Sequence, residues 1–240
     1  MMPLPKIATP TYQMVLPSTK KTINYRPFLV KEEKLLVLAL ESEDQKQITQ
    51  AVKSVIKNCI TSRGVKVETL PTFDIEFLFL NIRGKSVGEV VDVNITAPDD
   101  GETQIPVQIA LDEIKVIEPD GHDKTIKLDD SLRMDMKYPS LEQFISNNFG
   151  IGAEMNLEKS FELIASCIDK VYNEEEVWDS SDVSKKELME FLEGMNSAQF
   201  KDIEKFFETM PKLSHTIEVT NPKTGEKSDV TLEGLSSFFA

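Results

Sequence analysis

The longest unbroken apolar block, Leu35-Leu36-Val37-Leu38-Ala39-Leu40, follows the polar run Lys31-Glu32-Glu33-Lys34. Together they read as one helix over 31–41. Lysine and glutamate are good helix formers, and acids near a helix start complement its macrodipole. Six apolar positions in a row leave no polar face, which is the pattern of a buried helix. This helix is therefore expected at the centre of the protein, with the rest packed around it. Arg26-Pro27 leads into it, the proline holding Arg26 extended. Ahead of that, Tyr12, Met14 and Leu16 alternate, a polar turn follows at 17–19, and residues 22–25 run back as a β-hairpin. A second helix is expected over about 44–62, with Ser42 or Asp44 as its cap. Its stripe is Ile48, Val52, Val55, Ile56, Cys59 and Ile60. Gly64 closes it or the loop beyond.

From Phe73 to Arg83 the pattern fits both periods. Phe73, Ile75, Phe77 and Phe79 alternate as in a strand, while Leu78, Leu80 and Ile82 fill the gaps. The length, Pro71 near the start and Gly84 as a stop favour a buried helix. Past Gly88 the period becomes that of strands. Val90 to Ile95 and Ile105 to Leu111 flank the turn signal Ala97-Pro98-Asp99-Asp100-Gly101. Short strands follow at 116–117, 125–128 and 132–136, so residues 88–138 read as a small antiparallel β region. A short helix is expected over 141–147. The Asn/Gly-rich stretch 147–152 marks a domain boundary.

Beyond that boundary three helical stripes are expected. They are Leu157, Phe161, Ile164, Ile168 and Val171; then Leu188, Phe191 and Leu192; then Phe200, Ile203, Phe206, Phe207 and Met210. A terminal hairpin over 215–232 turns at Asn221-Pro222-Lys223-Thr224-Gly225, and an apolar tail, 234–239, docks. The fold class is thus α+β. A helical head with a small antiparallel β region (1–148; helices about 31–86, strands about 88–138) precedes an acidic, mostly helical domain (149–240) that ends in a β-hairpin.

At 240 residues and 40% hydrophobic, the chain is long enough to bury a real core. No apolar run approaches the roughly 20 residues that span a bilayer, so no membrane insertion is expected. Met1 to Pro10 holds three prolines and no apolar segment of the signal-peptide kind. Cys59 and Cys167 each fall in an apolar helical pattern, as buried free thiols do, although a long-range disulfide stays open. The net charge of −14 argues against a nucleic-acid partner. The charge is unevenly spread: residues 1–68 hold 11 basic and 6 acidic side chains, the other 172 hold 16 and 35. Solvated helix faces explain this, and so does a basic head and acidic body meeting different partners.

Candidate chemistry is sparse. His122 in a Pro-Asp-Gly-His turn and His215 at a strand start lack nucleophile or acid companions at a motif spacing. No Cys-x-x-Cys occurs, so no zinc site is expected. The acids at 99, 100 and 102 and at 174–176 lack the ligand spacing of a calcium loop and read as solvated turn acids. Gly84-Lys85-Ser86 has Phe79 where a phosphate-binding loop needs glycine, and it follows a helix rather than opening one, so nucleotide binding is rejected. No catalytic residue, cofactor or metal is expected. Aromatic residues are the better lead. Phe28, Phe238 and Phe239 are either core or, if exposed, anchors for a protein partner. Arg26, Lys31 and Arg83 are either a partner surface or internal ion pairs.

Three ordered stretches carry a family resemblance. They are Arg26 to Lys34 with the apolar block behind it; Phe77-Leu78-Phe79-Leu80-Asn81-Ile82-Arg83-Gly84-Lys85-Ser86-Val87-Gly88-Glu89; and Phe206 to Leu213 with the closing Gly234 to Phe239. The set resembles the baseplate hub assembly proteins of T-even-type contractile-tailed bacteriophages. The resemblance implies a non-enzymatic assembly factor, chaperone-like, acting in the host cytoplasm by binding other baseplate or hub proteins. A permanent subunit of the virion baseplate is the alternative it leaves open. The acid clusters motivate a lesser alternative, a carboxylate-based metal-dependent hydrolase, and the net charge a nucleic-acid mimic. Where the family resemblance would imply a cysteine knuckle, the hairpin from Thr216 to Thr231 has no Cys, so no metal is expected there.

Overall fold

The structure is a computed structural model and describes residues 7–42, 44–140, 143, 157–234 and 237. The expected hairpin forms: β1 (Tyr12–Val15) pairs antiparallel with β2 (Thr22–Tyr25), with Met14 opposite Ile23. Met14, Leu16, Ile23 and Tyr25 turn inward, as period-two alternation requires. Two helices follow, α1 (Val30–Glu41) and α2 (Gln45–Cys59). β2 is tied to the end of α2, where Tyr25 bridges Ile60 and the Arg26 N–H donates to the Cys59 carbonyl at 2.9 Å. Ala51, Val55, Ile56 and Cys59 form the buried stripe of α2.

The ambiguous segment is helical. It forms α3 (Thr72–Val87), in which Ile75, Leu78, Leu80 and Ile82 are almost completely buried. α3, and not α1, is the helix that the core surrounds. Gly84 does not stop it. The helix runs three residues further, and the left-handed residue is Gly88 at φ 133°. Gly84 lies against Leu111 instead: a Cβ there would sit 2.9 Å from Leu111 Cδ1, so a larger residue would make that side chain shift. The β1–β2 turn docks on the start of α3. Buried Asp74 in its first turn accepts from the Ser18 N–H at 3.0 Å and from the Ser18 hydroxyl.

The chain divides into two compact units, Met1–Val67 with Phe73–Ile117 and Lys212–Ala240, and Glu68–Thr72 with Glu118–Pro211. In the first unit, β3 (Val90–Thr96) and β4 (Gln104–Ala110) form the expected hairpin. β5 (Lys115–Ile117) joins a different sheet, of order β11-β10-β5, with β10 (Lys212–Thr220) and β11 (Lys227–Glu233). Leu80 of α3 packs with Val91, Val93, Ile95, Ile109 and Leu213 in one core.

The second unit is a four-stranded antiparallel sheet with helices. β6 (Thr125–Lys127), β7 (Arg133–Met136), β8 (Ile168–Tyr172) and β9 (Val177–Asp179) pair in sequence order. Its helices are α4 (Leu157–Ser166), α5 (Lys185–Glu193) and α6 (Ser197–Thr209). Capping boxes start the last two: Ser184 with Glu187, and Asn196 with Gln199. Ile203 and Phe206 join Met134, Leu163, Ile168 and Leu192 in this unit's core.

The chain is α+β as expected, with a different layout. Residues 88–138 are not one β region: β5 pairs with β10 near the C-terminus, and β6 and β7 pair onward to β8 and β9. The expected 157–171 helix ends at Ser166, and Ile168 and Val171 lie on β8 instead. A bulge at Asp169 puts both on one face: Val171 pairs with Met134 and Ile168 with Met136, and all four lie in one buried core. The expected domain boundary at 147–152 and the helix at 141–147 fall outside the described residues, apart from the helical Gln143. β7 and β8, one on each side of that boundary, are hydrogen-bonded neighbours.

The burial of α3 and the exposure of α1 give opposite truncation costs. Leu80→Ala is expected to destabilise the protein by about 2–5 kcal/mol in urea denaturation. Leu38→Ala, on the exposed side of α1, should stay within about 0.5 kcal/mol of the parent.

Candidate interaction surface

Arg26 and Lys31, two of the residues singled out in the sequence, converge on one carboxylate. Glu32 is buried, its side chain 1% exposed, and it lies 2.9 Å from Arg26 Nη2 and 3.3 Å from Lys31 Nζ through Oε1. Its Oε2 accepts from the Leu29 N–H at 2.9 Å, which satisfies a donor at the helix start. Arg26 Nη1 donates to the Pro27 carbonyl at 2.8 Å and lies 3.8 Å from Cys59 Sγ. Burial opposes ionisation of Glu32, but the hydrogen bonds from Arg26 and Leu29 and the Arg26 charge prevail and hold its carboxyl below the usual glutamate range. The Cys59 thiol, deprived of solvent, is pushed up to about 11, and Cys167 to about 12. Both are buried free thiols and are uncharged at neutral pH.

Phe28 is half-buried, and its N–H donates to Ser86 Oγ of α3 at 2.9 Å. Arg83 lies one turn earlier on α3, half-buried, and burial lowers its pKa from the usual guanidinium value. The structure thus joins Arg26 and Lys31 through Glu32 and places Phe28 beside the α3 segment that carries Arg83. Phe238 and Phe239 lie outside the described residues.

The surface that the sequence misassigned is α1 itself. The residues of α1 buried against the protein are Glu32 and Ala39. Val30 is 79% exposed, Val37 48%, Leu38 54% and Leu40 61%, so the expected central helix presents apolar side chains to solvent. The cause is the Glu32 pair. Once that carboxylate faces inward, helical geometry at about 100° per residue turns Lys34, Val37, Leu38 and Glu41 outward. Contiguous exposed apolar side chains on a folded protein mark an interaction site. The six-residue apolar block was a signal for it, but one that reads equally as core.

Other polar clusters hold structure together. Asn221, 1% exposed, directs Nδ2 at Asp99 Oδ1 (3.0 Å), Asp99 Oδ2 (3.1 Å) and Asp100 Oδ2 (3.0 Å), clasping the β10–β11 turn to the β3–β4 turn. Thr224 Oγ1 adds a bond to Asp99 Oδ2 at 2.6 Å. Hydrogen bonds from Thr224 and Asn221 lower the Asp99 pKa, and those from Thr103, Glu102 and Asn221 lower that of Asp100. In the second unit His122 is half-buried, stacked 5.6 Å from Tyr138 and tilted against Phe206 at 5.3 Å. Thr209 Oγ1 donates to the Lys205 carbonyl at 2.7 Å and so accepts from His122 Nδ1 at 3.0 Å, leaving Nε2 to accept from the Tyr138 hydroxyl at 2.9 Å. Burial lowers the His122 pKa, consistent with this neutral tautomer. His215 on β10 lies 3.9 Å from Glu113. A groove of about 370 Å³ in the second unit is lined by Leu132, Val171, Trp178, Leu188 and Phe191, with Glu187 beside them. Trp178 lies on the edge strand β9, directly after the exposed acids Glu174, Glu175 and Glu176.

A family model described as T4 bacteriophage base plate protein matches residues 9–240. The chain belongs to that family. No curated protein and no solved structure was found to match. Membership places this baseplate protein among structural or assembly components of a phage tail, with other baseplate proteins as partners and the virion baseplate as the associated structure. Among the described residues, no helix is long and apolar enough to cross a membrane, and no group of three or more His, Cys, Asp or Glu could hold a metal ion.

Two perturbations separate these arrangements. Because the Glu32 pKa is depressed in the fold, its stabilisation is complete above the ordinary value near 4.5 and is lost as pH falls through the lowered one. Glu32→Gln should flatten that acid limb in urea titrations at a series of pH values. Arg26→Met, which leaves the buried carboxylate only Lys31 and the Leu29 N–H, should cost on the order of 3 kcal/mol at pH 7. Asn221→Ala should cost about 1–2 kcal/mol. Asn221→Asp should cost more at neutral pH than at pH 4, since it sets a third carboxylate against Asp99 and Asp100.

Proposed function

We propose that this baseplate protein is a non-enzymatic assembly factor of the baseplate hub, acting by transient protein–protein binding in the host cell. The observation that carries the reading is the family match across residues 9–240. Two features of the chain support an assembly role over a fixed one. With 41 acidic against 27 basic residues, the protein is drawn to basic surfaces, which favours fast, reversible encounter with a basic partner. The Trp178 groove, with Glu187 in its lining, suits an apolar side chain flanked by a basic residue. In this reading Arg26, Phe28, Lys31 and Arg83 organise the head, and Phe238 and Phe239 supply further apolar anchors.

The alternative is a permanent baseplate subunit. Quantitative mass spectrometry of purified mature particles against infected-cell lysate separates the two. The assembly role expects the protein in lysate, together with hub precursors, and its absence from particles. A fixed copy number per particle would overturn it and make the protein a structural subunit.

A further inference from the structure

We infer that the outward face of α1 is a self-association surface, on which a second copy of this chain packs its own α1 antiparallel about a twofold axis between Val37 and Leu38. The inference does not depend on whether the protein leaves the particle or stays in it.

The argument starts from spacing. Lys34 and Glu41 are seven residues apart, two turns of helix, so they lie on one stripe, with Val37 and Leu38 between them. All four are exposed, and among the described residues neither Lys34 nor Glu41 is engaged in an ion pair. A twofold axis at the midpoint of this stripe exchanges position 34 with 41, 37 with 38, and 35 with 40. Lys34 of each copy then meets Glu41 of the other, so two reciprocal ion pairs bracket an apolar centre of Val37 and Leu38. Leu35 and Leu40, 39% and 61% exposed, close its flanks. A parallel arrangement would set Lys34 against Lys34 and Glu41 against Glu41, so the charges select the antiparallel one. An isologous contact of this kind needs a self-complementary patch, and this stripe is one. α1 is short, so the contact lies at the small end of specific interfaces and the dimer dissociates at about micromolar concentration or above.

The test is light scattering after size exclusion, over a concentration series of the full chain. The parent is expected to pass from monomer to dimer. Leu38→Asp should remain monomeric with an unchanged circular dichroism spectrum and melting temperature, since residue 38 contributes no core contact. Lys34→Glu and Glu41→Lys should each weaken the dimer by roughly tenfold, because each turns both attractive pairs repulsive. Mixing these two variants should restore a dimer, since in the mixed pair both contacts become Glu against Lys. A parent that stays monomeric up to about 500 μM, a dimer indifferent to Leu38→Asp, or a mixture that fails to recover would each overturn the inference. If the parent is monomeric and Leu38→Asp abolishes capture of another baseplate protein, the face belongs to that protein and self-association is excluded.

Discussion

A single buried carboxylate fixes how the first helix of this protein faces. Glu32 is withdrawn from solvent, and an ionised acid there is tolerable only because Arg26, Lys31 and the Leu29 N–H all address it. That requirement sets the rotation of α1 about its axis. The six apolar residues that follow inherit their direction from it: Ala39 falls inward with Glu32, and Val37, Leu38 and Leu40 are left outside. The same guanidinium reaches the Pro27 carbonyl and the end of α2 at Cys59, so the pair also ties together the hairpin, α1 and α2. A buried ion pair adds little over an apolar replacement of both partners, although breaking one side of it is costly. Its effect here is on which surface the protein shows.

This explains where the sequence misleads. A helix apolar on every side has no preferred buried face, so the pattern cannot say whether its environment is core or partner. α1 and α3 read alike, and only tertiary placement separates them: the Ile75, Leu78 and Ile82 positions of α3 are enclosed, while α1 is not. Elements with strong local signals were legible. The β1–β2 and β3–β4 hairpins and the helices α2, α5 and α6 lie close to where alternation and apolar stripes put them. Non-local pairing was not. Nothing in Lys115-Val116-Ile117 indicates a partner about a hundred residues away at Lys212 to Ser214. Nor does the run to Ser166 reveal that Ile168 and Val171 leave the helix for a strand. Gly84 was noticed for its effect on backbone freedom, yet the helix runs through it and it packs against the Leu111 side chain.

For Arg26 and Lys31 the sequence left a partner surface and internal ion pairs both open, and the pairs with Glu32 form. Arg26 and Lys31 stand together because both answer Glu32, a residue that composition would place on the surface. His122, the residue type first suspected of chemistry, is satisfied at both ring nitrogens by Thr209 and Tyr138 and serves as packing in an aromatic cluster. Asn221 escaped notice inside a turn signature, although its amide reaches three carboxylate oxygens. Turn residues are read for backbone shape, and that reading passes over what their side chains grip.

The pairing of β5 with β10 has a mechanical side. The long segment of the second unit, Glu118–Pro211, leaves the first unit after Ile117 and returns at Lys212, and those two residues are opposite one another in the sheet. Its two ends therefore emerge about 5 Å apart. Traction applied across them does not shear the sheet. It peels β5 from β10, starting at Ile117 and Lys212 and moving through Val116 and Leu213 to Lys115 and Ser214, one rung at a time. Tension between the insert's ends is therefore felt first at that three-rung zipper.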